Sequence, residues 1–289
     1  MSGFVRISEA ICRAARALVA GAAVALAGPV WSDAPERVVS INLCTDQLAM
    51  LLAGQGQLHS VSRIASDRNV SPMADEAARY LTNYGQAEEV YMMQPDLVLA
   101  GRFTPAATVE MLEGLGIEVV IFDITKSIDG VREQILKMGE VLHREEAAAA
   151  LLAEFDARRA VLEEQGGARP SAMLYYANGY TSGTETLANE ILELAGFSNA
   201  AIAAGYNWGQ KMPLEVLALT DPDLVITSQP YPGGSRAEDV MAHPVVRAMK
   251  AGRANSTMAD SDWVCGTPFV LRAAEKLAAL RREMTGAAQ

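Results

Sequence analysis

Cationic, thiol and imidazole side chains are scarce in this chain. Its 289 residues hold 24 lysines and arginines against 35 acids, with three histidines and three cysteines, for a net charge of −11. Such a surface repels phosphate backbones and anionic lipid, which argues against a nucleic-acid or membrane-surface partner. Beyond the N-terminal segment only Cys44 and Cys265 remain, so the chain is no disulfide-stapled miniprotein. Two thiols fall short of the four ligands of a closed zinc site, and His59, His143 and His243 form no cluster in the sequence. Catalytic motifs are lacking as well. In Gly179-Tyr180-Thr181-Ser182-Gly183 the serine is displaced from the Gly-x-Ser-x-Gly frame, and the loop has no P-loop lysine. An exported hydrolase is therefore an outside alternative, and the expectation is a protein that is not an enzyme.

Long apolar runs are limited to one. Arg6, Arg13 and Arg16 precede the stretch from Ala17 to Ala27, which is too short to span a bilayer, and no acid stands between Ala10 and Ser32. Val30-Trp31-Ser32 offers a peptidase site, so residues 1–32 read as a signal peptide and the mature protein as exported to the periplasm. Cys12 lies upstream of the apolar core, which argues against a lipoprotein. Three arginines and one glutamate leave with the leader, taking the charge from −11 to −13.

What is present is a near-repeat 127 residues apart. Glu88 stands seven positions before Pro95 and Glu215 seven before Pro222, and each proline opens Asp-Leu-Val and a branched aliphatic. Strand and helix patterns alternate around both copies, the signature of α/β lobes with mainly parallel sheets. Expected strands are Arg37 to Asn42, Leu58 to Ile64, Leu97 to Ala100, Glu118 to Phe122 and Ala172 to Tyr176. Thr45 to Ala53 and Thr184 to Ala195 read as matched first helices, each stopped by Ala-Gly. From Asp129 to Gln165 the pattern is helical with a break near His143. Leu151, Phe155 and Leu162 share a stripe there, and Glu154 and Arg158 are spaced as a supporting pair. The organisation reads as an N-terminal lobe over 33–143, a connecting helix over 144–166 and a C-terminal lobe over 167–289.

Open α/β sheets hold ligands beyond the carboxyl ends of their strands. The loops to watch carry Asn42, Cys44, Asp46, Arg63, Arg102, Phe103, Tyr180, Trp208, Tyr231, Asp262, Trp263 and Cys265. Shifting Arg102-Phe103-Thr104 by 127 lands on Gln229-Pro230-Tyr231, so these loops should face each other. Aromatic rings would cover a macrocycle or chelate, and Arg63 or Arg102 would meet an anionic one. Cys44 and Cys265 read as unlinked thiols, as an inter-lobe disulfide or as soft-metal contacts.

Arg-Val-Val-Ser-Ile-Asn, Pro-Asp-Leu-Val-Leu, Gly-Ile-Glu-Val-Val, one long helix, Leu-Glu-Val-Leu-Ala-Leu-Thr-Asp-Pro-Asp-Leu-Val-Ile and a late Asp-Trp follow one another in this order. The series resembles the periplasmic substrate-binding proteins of iron-siderophore, haem and cobalamin ABC importers, over essentially the whole mature chain. The resemblance implies two Rossmann-like lobes joined by one long α-helix, with a ferric siderophore as first choice of ligand, a corrinoid or haem as alternative and no resident cofactor or metal. It implies a monomer that meets an ABC permease dimer through one acid per lobe, at positions matching Glu88 and Glu215, with Glu89 as the competitor in the first lobe. Trp263 matches a ligand-contacting segment of cobalamin-binding relatives.

Overall fold

Two runs of alternating strand and helix build two parallel sheets in the computed structural model, which describes residues 34–251 and 255–286. The expected leader and its cleavage site lie outside the described residues. In the first lobe β1 (Val38–Ser40), β2 (Leu58–Ser62), β3 (Leu81–Asn83), β4 (Leu97–Gly101) and β5 (Glu118–Phe122) lie in the order β3-β2-β1-β4-β5, all parallel. The second lobe contains β6 (Ser171–Leu174), β7 (Tyr180–Thr181), β8 (Ser198–Asn199), β9 (Gln210–Lys211), β10 (Leu224–Ser228) and β11 (Asn255–Met258). Its main sheet runs β11-β10-β6-β8, again parallel, while β7 and β9 pair antiparallel beside it. Both sheets reverse direction of growth at their first strand, between β1 and β4 and between β6 and β10.

The near-repeat has a structural reason. The helices Ala87–Met92 and Leu214–Thr220 are each followed by a left-handed residue, Gln94 with φ 51° and Asp221 with φ 47°. The proline then cannot extend the helix, and its aspartate clamps the neighbouring strand. Asp96 accepts from the backbone N–H of Glu36 at 2.6 Å and of Arg37 at 3.0 Å. Asp223 accepts from Ser171 N–H and Oγ–H, both at 2.8 Å. Each Pro-Asp therefore ends a helix, starts a strand and pins the first strand of its sheet beside it.

The break near His143 is real: that residue sits at φ 54°, between the helices Ile128–Val141 and Glu145–Glu163. The second helix has 19 residues, about 28 Å at 1.5 Å per residue. Phe155 and Leu162 are buried in a core cluster that includes β1 and β4 of the first lobe and β6 and β10 of the second. Emptying that joint by Phe155→Ala would cost about 3–5 kcal/mol.

Two expectations fail locally. Arg158 does not pair with Glu154; it reaches Glu275 on the terminal helix Val270–Gly286 at 2.9 Å, because that helix packs alongside. The matched Ala-Gly stops also differ. Gly196 adopts φ 83°, as a left-handed helix stop should, whereas Ala53 is already extended at φ −60°, ψ 145° and Gly54 is not left-handed. There Gln57 takes over, accepting from Gly54 N–H at 2.8 Å.

Candidate functional site

The direction reversals leave two crevices at the carboxyl ends of the sheets, as the geometry of open α/β sheets requires. The first is a cavity of about 510 Å³ lined by Asn42, Tyr84, Glu88, Phe103 and Thr104 among others. The second, of about 400 Å³, is lined by Tyr176, Ser228, Tyr231, Glu238 and Asp260 among others. Hydrogen bonds equate them residue by residue: Ile41 N–H donates to Leu99 O as Tyr175 N–H donates to Ile226 O, and Arg102 N–H to Phe122 O as Gln229 N–H to Met258 O. Asn42 thus corresponds to Tyr176, and the Phe103 loop to the Tyr231 loop, the equivalence behind the 127-residue offset.

In the first crevice Asn42 caps the helix Leu43–Leu52, its Oδ1 accepting from Cys44 N–H at 3.0 Å. A Cβ on Gly101 would sit 2.5 Å from the Asn42 side chain, so the glycine is what lets this residue lie at the strand ends. Phe103 is 83% exposed. Arg102 is exposed, 4.0 Å from Asp123, and Arg63 lies over the ring of Tyr84 at 5.9 Å. Glu89 is committed to the fold, accepting from Tyr84 N–H at 2.8 Å, while Glu88 beside it is exposed on the cavity rim.

The second crevice is phenolic and acidic. Tyr231 donates to Asp260 at 2.6 Å, and Tyr231 N–H donates to Glu238 Oε1 at 2.9 Å. Glu238 Oε2 is buried with no hydrogen-bond partner, an acceptor left open where such groups are normally satisfied. Burial, together with the Asp260 carboxylate, holds the Tyr231 phenol above its ordinary range, and burial does the same for Tyr176. Trp263 meets Tyr176 edge-on at 5.6 Å and packs on the shared core, half-buried. Tyr180 lies on β7 and Trp208 just before β9, both exposed.

Of the expected ligand positions only Asn42, Phe103 and Tyr231 line the two crevices, and four of the others are committed to the fold. Asp46 is fully buried and accepts from Ser62 N–H at 3.1 Å and from the Ser62 hydroxyl, tying the first helix to β2. Burial raises its pKa to about 7. Asp262 is buried in an ion pair with Lys276 of the terminal helix. Cys44 and Cys265 are joined in a disulfide, Cα atoms 5.2 Å apart, within an apolar cluster with Leu43 and Val70. The pairing removes the free-thiol and metal-contact alternatives. Around it the lobes are stitched further: Thr267 donates to Gln47 at 3.0 Å, Ser261 N–H to Asn69 O at 3.2 Å, and Gly266 admits Thr125 where a Cβ would clash.

Sequence reasoning missed Tyr84, Tyr176, Glu238 and Asp260. Tyr84 follows β3, a three-residue strand without a readable period. Tyr176 was readable as the partner of Asn42 only through strand register. Among the described residues no group of three or more His, Cys, Asp or Glu is arranged to hold a metal ion.

Residues 38–259 match the family model described as periplasmic binding protein. The chain is 32% identical over 200 residues to the cobalamin-binding protein of Halobacterium salinarum, covering 67% of this chain and 54% of that protein; it thus spans about half the length of the first curated relatives it matches. It is 27% identical over 221 residues to the vitamin B12-binding protein of Salmonella paratyphi A, covering 74% of this chain and 79% of that one. The periplasmic heme-binding protein RhuT from Roseiflexus sp. RS-1 superposes with a TM-score of 0.68 at 20% identity, over 86% of this chain and 98% of that chain, a likeness of fold.

Proposed function

The chain belongs to the periplasmic binding protein family, and we propose that it is the solute-binding component of an ABC importer that carries a corrinoid of the cobalamin type. The observation that carries this reading is the second crevice: the aromatic faces of Tyr176 and Tyr231 beside the carboxylates of Glu238 and Asp260, with no lysine or arginine among its described lining residues. A corrinoid presents a flat apolar ring edged with amide N–H donors, which such a wall accepts. A ferric siderophore of net negative charge would face two carboxylates there. The cobalamin-binding relatives agree with this order, which reverses the one drawn from sequence.

The siderophore reading keeps one specific support. Arg63 and Arg102 are exposed at the ends of β2 and β4, where an anionic chelate would meet two cations. Arg102 is already near Asp123, which weakens its claim.

Carriage rather than catalysis is the role proposed, supported by a family whose members are binding proteins. Family members are periplasmic, and no helix among the described residues is long and apolar enough to cross a membrane. Glu88 and Glu215 are the handles for a permease: both are exposed in the first turn of matched helices, one per lobe. Trp208 and Trp263 make the test direct. Titration of the mature protein with cyanocobalamin, a ferric siderophore and haem should quench their fluorescence saturably with cyanocobalamin. Saturable binding of the siderophore alone would replace the corrinoid, and binding of none would sink the cargo assignment.

A further inference from the structure

On the two docking helices the repeat extends to side chains that folding does not require. Counting 127 residues on from Met92 reaches Leu219, and these are 77% and 86% exposed. Met92 is four residues after Glu88, and Leu219 four after Glu215, which puts each apolar chain about 6 Å along the same helix face as its carboxylate. The buried side of both helices is already served by Val90 and Leu217. A single exposed leucine is ordinary. Two large apolar chains at equivalent places on two lobes, each beside an exposed acid, are the arrangement that a partner with two-fold symmetry reads as the same patch twice.

We propose that Met92 and Leu219 are apolar feet of the docking surface, each entering a socket beside a cation on one half of a dimeric membrane protein. The proposal rests on the docking role of Glu88 and Glu215 and adds the second half of each contact. The carboxylates argue for a cationic partner surface, and hence against an anionic lipid surface or another copy of this acidic chain. In this arrangement charge orients the approach and the apolar feet hold the complex, so their loss raises the dissociation rate. Neither foot is among the residues lining the two crevices described above.

The test is co-sedimentation of the mature protein with inner-membrane vesicles from its own cells. Wild type should bind saturably, and Glu88→Ala with Glu215→Ala should lose binding. Met92→Ser with Leu219→Ser should weaken binding about 100-fold or more, at about tenfold per foot, without altering the ligand titration. If the glutamate pair has no effect, the docking reading falls. If that pair matters and the serine pair does not, only the apolar feet fall. A photo-crosslinking amino acid at position 92 or 219 should label one and the same integral membrane polypeptide. Labelling of lipid, of a second copy of this chain or of two different proteins would overturn the proposal, as would absence of wild-type binding.

Discussion

The two lobes share a frame and differ in the chemistry hung on it. In each, a capped first helix is tied to the second strand of its sheet by a buried polar group. In the first lobe Asn42 is the cap and Asp46 reaches Ser62 on β2. In the second, Thr186 caps Asn189 N–H at 3.2 Å, and Asn199 on β8 donates to Asn189 Oδ1 at 2.9 Å. One tie is an acid, the other an amide. Likewise the first crevice is lined by Asn42, Phe103 and Thr104 with a single acid, Glu88, and the second has an acidic, phenolic wall of Tyr176, Tyr231, Glu238 and Asp260. The two lobes share the backbone contacts that make a βαβ unit and differ in the side chains at their crevices.

The largest expected effect tests whether the lobes are separable at all. Cys44→Ser with Cys265→Ser opens a link between residues 221 apart, which the chain-entropy model values at about 5 kcal/mol. Guanidinium titration followed by tryptophan fluorescence and circular dichroism should show the midpoint falling while both probes still report one transition, because Phe155 and its neighbours form a core shared by both sheets. Two resolved transitions would make the lobes independent.

A smaller effect distinguishes the acid tie from the amide tie. Asp46 has its folded pKa raised from 3.8 to about 7, so between these values the native state holds a proton that the unfolded chain releases. Its contribution is full below the unfolded pKa and is lost as pH rises towards about 7, on the order of 4 kcal/mol across the window. Stability measured by denaturation at pH 4 to 8 should therefore fall with pH by this component. Asp46→Asn should flatten it, whereas Asn189→Asp should introduce a new pH dependence in the second lobe. An unchanged slope in Asp46→Asn would show that the carboxyl ionises without cost.

The smallest effect compares the caps. Thr186→Ala and Asn42→Ala should each cost about 1 kcal/mol of stability. Only Asn42→Ala should also shift ligand affinity, since Asn42 lines its crevice and Thr186 is not among the residues lining the second. Equal affinities for the two variants would separate the first crevice from the ligand.

Much of the frame was readable from local signals. β5 has the bounds expected, Glu118 to Phe122, since Gly116 precedes a strand-rich run. The Pro-Asp motifs announced both β4 and β10. The site was legible only in part. Phe103 and Tyr231 followed from the offset, but Asp46 could not be told from a crevice acid, because it lies only four residues after Asn42 and its burial depends on β2 arriving over it. Glu88 and Glu89 read alike in the sequence, and only the fold separates them, with Glu89 accepting from Tyr84 N–H and Glu88 exposed. Short strands such as β3 and β8 carry too few residues to show a period, which hid Tyr84.

By itself, then, the sequence determined the alternation of strands and helices, the repeat and its two stops, since turn chemistry, hydrophobic period and proline geometry act within a few residues. Tertiary structure alone decided that Cys44 meets Cys265, that Asp46 and Asp262 turn inward, and that one wall of the gap is acidic. Those outcomes depend on residues far apart in the chain arriving at one place, and the distance between them is a property of the packed lobes.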